Sequence, residues 1–210
     1  LGRMWAQSAN LYDYAAEKPT LFSRVDLKDR VKLVFRDHGM MQCENASIDV
    51  AKETGTISSE QGEVFFKDQV GSKKITGTSK KITFTAEDHL LESVTASENV
   101  TIHLNDEYYL TCDVATYNHT PTRRVIASGK QCQIERDDDS LEGTAIAIDI
   151  EKNLIDIENA SGRVSTTSVP LHFSANSMQW NHPAQTLTLN KDVWLLTPEG
   201  HLLADKEVVL

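Results

Sequence analysis

The chain has 210 residues, with 21 Lys and Arg against 31 Asp and Glu and a formal net charge of −10. That length buries a real core in one elongated domain or two small ones. The charge excludes a broad nucleic-acid surface, which needs clustered cations to release phosphate counterions, and no apolar run approaches the roughly 20 residues that cross a bilayer as a helix.

The opening LGRMWAQSANLYDY lacks the basic-then-apolar layout of a signal peptide. The chain begins with Leu1 and not Met, which is compatible with a targeting segment or membrane anchor outside this sequence, so its opening decides nothing about export. Residues 1–24 read as a lead-in, a short helix over SANLYDYAAEKP or an irregular segment ending at Pro19. From LFSRVDLKDRVKLVFRDHG (21–39) onward no stretch keeps a helical period for three turns, while Thr, Ile and Val are plentiful. Nearly all of 25–210 is expected to be strand.

A short pattern then recurs. CENASID (43–49), GTSKKIT (77–83), CDVATYN (112–118), GTAIAID (143–149) and ANSMQWN (175–181) align on their first, small residue, and a clipped ADKEVVL (204–210) ends the chain. The period is loose, about 30 residues, as in architectures built from stacked repeats. Two positions before each small residue stands Met41, Ile75, Leu110, Leu141, Phe173 or Leu202; five positions after it stands Ile48, Ile82, Tyr117, Ile148 or Trp180. Spacing is even before the small residue and odd after it, so the inward-facing residues change parity within each copy. A β-bulge or strand corner has that effect, bending the chain while its apolar side keeps facing one interior.

The second half of each copy alternates, breaks at a polar residue or Gly, and alternates again: LLESVTASENVTIHL (90–104), RRVIASGKQCQIE (123–135), NLIDIENASGRVS (153–165) and QTLTLNKDVWLL (185–196). Turns such as NHTPT (118–122), EKN (151–153) and NHPA (181–184) join the halves. The region 21–39 resembles a second half whose first half is missing, so the array is cut at both ends and leaves strand edges without neighbours.

LTCDVATYN followed by VIASGKQCQI, with VTASENV and IENASGRV repeating its ending, resembles the OstA-like family of lipopolysaccharide transport proteins, whose members include LptA, LptC and the N-terminal domain of LptD. The resemblance covers about 25–210. It departs from the family pattern at SGKQC and NKDV, which lack the Gly-Asn-Val ending, and at Lys80, which stands where Ala is usual and places a charge in the interior or on a rim. The chain also exceeds a minimal family domain by about one copy. The resemblance implies an all-β, repeat-built antiparallel β-jellyroll folded like a taco, with five to six repeats. It implies a location in the periplasm of a Gram-negative bacterium and an apolar groove that shelters the lipid A acyl chains of lipopolysaccharide. Its implied partners are other OstA-like transport proteins, or a second copy, joined by edge-strand pairing into a bridge between inner and outer membranes.

The groove would be lined by Met41, Cys43, Ala46 and Ile48, by Ile82 and Phe84, by Leu110, Ala115 and Tyr117, by Ile146, Ile148 and Ile150, and by Phe173, Met178 and Trp180. Without a ligand the same residues fill a closed core, and the protein is then a structural β-repeat module of the envelope that binds only proteins. The small corner residues leave room for methylene chains, each worth about 0.8 kcal/mol when sheltered. Capture by burial should vary little with salt, with Lys and Arg of GSKK (71–74) and SKK (79–81), Arg123 and Arg124 offering local contacts to anionic head groups.

Catalytic and metal chemistry find no anchor in the sequence. His38, His89, His103, His119, His172, His182 and His201 make no HxH or HxxxH pair, and RDDDS (136–140) lacks the ligand spacing of a calcium loop and reads as a hairpin tip. There is no GxSxG nucleophile motif. Asp49 and Asp149 hold equivalent positions, where turn formation explains them. Cys43, Cys112 and Cys132 form no CxxC pair; Cys112 and Cys132 could oppose each other on neighbouring strands, as packed thiols or as a disulfide. No cofactor is expected.

Overall fold

The computed structural model describes residues 3–13, 22–35, 39–88, 90–119, 123–165 and 170–210. Among them there is no helix. The strands are β1 (Arg3–Trp5), β2 (Ser8–Tyr12), β3 (Arg24–Val34), β4 (Met40–Asp49), β5 (Thr54–Ser58), β6 (Val64–Val70), β7 (Lys73–Ser79), β8 (Lys81–Glu87), β9 (Leu90–Leu104), β10 (Tyr108–Asn118), β11 (Arg124–Arg136), β12 (Asp139–Asp149), β13 (Leu154–Ser165), β14 (Pro170–Asn181), β15 (Thr186–Asn190), β16 (Val193–Thr197), β17 (Gly200–Ala204) and β18 (Glu207–Val209). All pairings are antiparallel, and together they form one 18-stranded sheet.

The sheet folds into two layers because its long strands bend at mid-length. In β10, residues 108–112 pair with 100–104 of β9, while 114–118 pair with 93–97, and the register shifts between Cys112 and Val114. The pairing of β11 with β12 shifts likewise between Ser128 and Cys132, and that of β3 with β4 between Lys28 and Val31. The first layer therefore runs β1, the end of β3, the start of β4, β6, β7, the end of β9, the start of β10 and onward to β16 and β17. The second runs β2, the start of β3, the end of β4, β5, β8, the start of β9, the end of β10 and onward to β15 and β18. The molecule is an all-β, antiparallel, repeat-built β-jellyroll, as the sequence led us to expect.

Bending is visible in the backbone. At the crest where the layers meet, left-handed φ values occur at Asp29 (61°) and Arg30 (53°), Glu98 (67°) and Asn99 (58°), Gly129 (153°), Asn159 (50°), and Lys191 (59°) and Asp192 (50°). These fall in the polar or Gly breaks of the second halves. Asn and Asp tolerate that conformation better than most side chains. At Gly129 a Cβ would lie 2.5 Å from Asp113 Oδ2, so the close approach also demands glycine. On the partner strands the buried set shifts parity, from Met41 and Cys43 to Ala46 and Ile48, and from Leu110 and Cys112 to Ala115 and Tyr117. Where a copy splits at the crest, as between β7 and β8, Ser79 is buried and its hydroxyl donates to Lys81 O at 3.1 Å.

The lead-in differs from expectation. Residues 3–5 and 8–12 are strands, not helix or irregular chain, because they pair with opposite ends of β3 and satisfy backbone groups that its edge would otherwise expose. Residues 14–21, including Pro19, lie outside the described residues. So do His38, His89 and residues 120–122 of the NHTPT turn.

At the other end β17 pairs only with β16 and β18 only with β15 among the described residues. Leu202 shares a side of the sheet with buried Leu195 yet is 47% exposed, since no strand follows it. Leu203 is 72% exposed. Each layer thus ends here, among the described residues, in a strand with one free edge and exposed apolar side chains.

Candidate functional site: the interior and its mouth

The structure gathers the expected groove residues into one core between the layers. Met41, Cys43, Leu110 and Phe173 approach from the first layer. Ala46, Ile48, Ile82, Phe84, Ala115, Tyr117, Ile146, Ile148 and Met178 approach from the second, and Ile150 sits at the turn after β12. Trp180 is partly buried against the same core. Their own side chains fill the interior. Small cavities of about 30 and 20 Å³ lie among the described residues, against the roughly 300–1,000 Å³ of a pocket for a small organic ligand. The sequence left an open trough and a closed core as alternatives, and in this structure the interior between the described strands is packed by its own side chains.

Opposite the crest, the hairpin turns of the two layers face each other and form a mouth. The 30 Å³ cavity opens there, lined by Ile75, Leu104 and Tyr108 of the first layer and by Ile148, Ile150 and Ile155 on the opposing side, beneath Lys73 and Asn153. Lys73 Nζ donates to Ile150 O and Asn153 Oδ1, joining the β6–β7 hairpin to the β12–β13 turn. Along the same mouth Arg136 lies over the Tyr108 ring at 5.3 Å and the Trp180 ring at 6.0 Å. Sequence reasoning placed Lys73 and Lys74 among head-group contacts but did not foresee the bond across the layers. Three of the other cations proposed there are engaged elsewhere. Lys80 Nζ donates to Gly62 O at 2.6 Å on the crest, which settles its place as a rim residue; Arg123 pairs with Glu151 at 3.5 Å and Arg124 with Asp156 at 3.4 Å.

A second set of residues has a role that the sequence reading did not assign, although its signal was there: the position after the small residue is always polar. Glu44 accepts backbone N–H bonds from Glu60 at 2.7 Å and Gly62 at 3.1 Å, and Asp113 accepts one from Lys130 at 2.9 Å. Thr144 accepts from Asn159 Nδ2 at 2.9 Å, and Asn176 donates to Asp192 Oδ2 at 2.8 Å. Each bond clasps one bend to the next along the crest. The N–H groups of Glu60 and Gln61 hold the Glu44 carboxyl below its usual range.

The remaining candidates act structurally. RDDDS forms the tight β11–β12 tip, with Asp137 at φ 52°. The three thiols are free and buried, and burial pushes Cys43 and Cys112 up to about 12, where a thiol is a poor nucleophile at neutral pH. His119 and His182 end equivalent strands of the second layer, each ring edge-on to an aromatic two residues earlier. Asp49 and Asp149 cap turns by accepting from Lys52 N at 3.0 Å and Lys152 N at 2.9 Å. Burial raises the Asp149 carboxyl, but the Lys152 N–H and ammonium outweigh it and hold the group below its ordinary value. A depressed folded-state value contributes stability above the unfolded pKa, about 3.9 for Asp, and that contribution is lost as pH falls through the folded value. Asp149→Asn should therefore lower the melting temperature at pH 7, and the gap to wild type should close at pH 2.

The structure is similar to the crystal structure of LptH, the LptA homologous periplasmic component of the conserved lipopolysaccharide transport device from Pseudomonas aeruginosa. The TM-score is 0.46 at 12% sequence identity, covering 65% of this chain and 93% of that one. No family model and no curated protein matches the chain.

Proposed function

We propose that the protein is a periplasmic lipid carrier of lipopolysaccharide transport, which shelters acyl chains between its two layers and joins similar domains end to end through its free strand edges. The observation that carries this reading is a single continuous apolar core between layers that are fused along a crest and held together at the mouth by a few polar contacts. Parting the mouth exposes a greasy trough without breaking any strand pairing. Chains entering it replace contacts among core side chains with contacts to methylene groups, at about 0.8 kcal/mol per CH₂ removed from water. The resemblance of the repeat to the OstA-like family supports the choice of lipid.

A photo-crosslinking residue at Ile148 or Tyr117, inside the core, is expected to yield a lipopolysaccharide adduct, whereas the same residue at Ile126, 39% exposed on the outer face, should yield none. Adducts absent from all three positions, in a variant shown to be folded, would remove the carrier reading. The filled interior favours the second reading, a structural envelope module that binds only proteins, and that outcome would leave it standing.

A further inference from the structure

Lys73 is placed unlike the other cations around the mouth. Its neighbours have carboxylate partners: Lys74 with Asp106 at 3.5 Å, Arg123 with Glu151 at 3.5 Å, and Lys152 with Asp149 at 3.4 Å. Lys73 has none among the described residues. Its ammonium is held by a backbone carbonyl and an amide oxygen from the opposite layer, directly over an apolar cavity. A cation held by neutral acceptors gains a charge–charge attraction when an anion replaces them, so an anion that reaches it competes for it.

We infer that Lys73 is a latch on the mouth and the recognition site for a phosphate-bearing head group of an amphiphile, an inference that rests on the lipid-carrier reading. The phosphate draws the ammonium away from Ile150 O and Asn153 Oδ1. Those are the bonds that tie the β6–β7 hairpin to the β12–β13 turn here among the described residues, and once they are gone the turns part above Ile75, Leu104 and Ile155. The chains follow into the cavity that opens. The ligand shifts the closed-to-open equilibrium because its phosphate binds the released ammonium and its chains bind the opened core, and neither contact exists in the closed form. Arg136 cannot serve in the same way, because Asp137 lies 3.9 Å from it and two aromatic rings already cover it.

The test is calorimetric titration of the full chain with dodecyl phosphate, with uncharged dodecyl maltoside and with inorganic phosphate, each below its micellar concentration where it has one. Wild type should bind dodecyl phosphate about tenfold more tightly than the maltoside, the scale of one charge-assisted bond. Lys73→Gln should erase that preference and bind the maltoside more tightly than wild type does, because the latch is gone. Lys73→Arg should keep the preference, and Asn153→Asp, which gives the latch an anionic partner, should weaken binding of both amphiphiles. An unchanged preference in folded Lys73→Gln would overturn the latch while leaving the carrier reading in place. Inorganic phosphate binding as tightly as dodecyl phosphate would also overturn it, by showing a plain anion site. Failure of both amphiphiles to bind any variant would overturn both readings together.

Discussion

Ile75→Ala is expected to destabilise the protein by about 2–5 kcal/mol, the range for removing a buried branched side chain and leaving a cavity. At roughly 2–4 °C per kcal/mol for a domain of this size, the melting temperature should fall by about 4–20 °C. Ile75 is buried in β7 and borders both interior cavities. Truncating it joins them. The same change should therefore strengthen binding of short-chain amphiphiles, because an apolar void in a rigid core stays dry and accepts apolar guests. Thermal melts and amphiphile titrations on one variant check both signs. A loss of stability with no gain in binding would mean that the interior is core and nothing more.

Leu202→Lys is expected to abolish end-to-end association while leaving the fold intact. Leu202 continues the inward face of the first layer onto its last strand, β17, and burying one leucine at a joint is worth about 1.5–3 kcal/mol, or roughly ten- to a hundredfold in affinity. A lysine there adds the cost of desolvating a charge, the device by which natural sheets protect their edges. Light scattering across a concentration series should show wild-type assemblies growing with concentration and the variant remaining monomeric. Equal association of the two would place the joint elsewhere.

Much of this architecture was legible because strand side chains alternate with a period of two. A one-residue change of phase is then conspicuous, and it marked the bends at Cys43, Cys112 and Ala175 before any coordinates. The same alternation told which side chains face inward but not how far apart the two walls stand. Hence Met41, Ile148 and Phe173 were expected to face inward, as they do, while a trough and a closed core stayed alternatives. Strands β1 and β2 escaped because their cause is the open edge of β3 and not their own sequence. The Lys73 bond escaped because it joins residues 77 and 80 positions apart on strands that are not neighbours, and no local pattern records such a meeting.

The crest has a mechanical consequence. Strands β3, β4 and β9 to β14 each belong to both walls, so neither wall can slide along the other without tearing several covalent chains out of register at once. Rotation about the spine is the soft motion that remains.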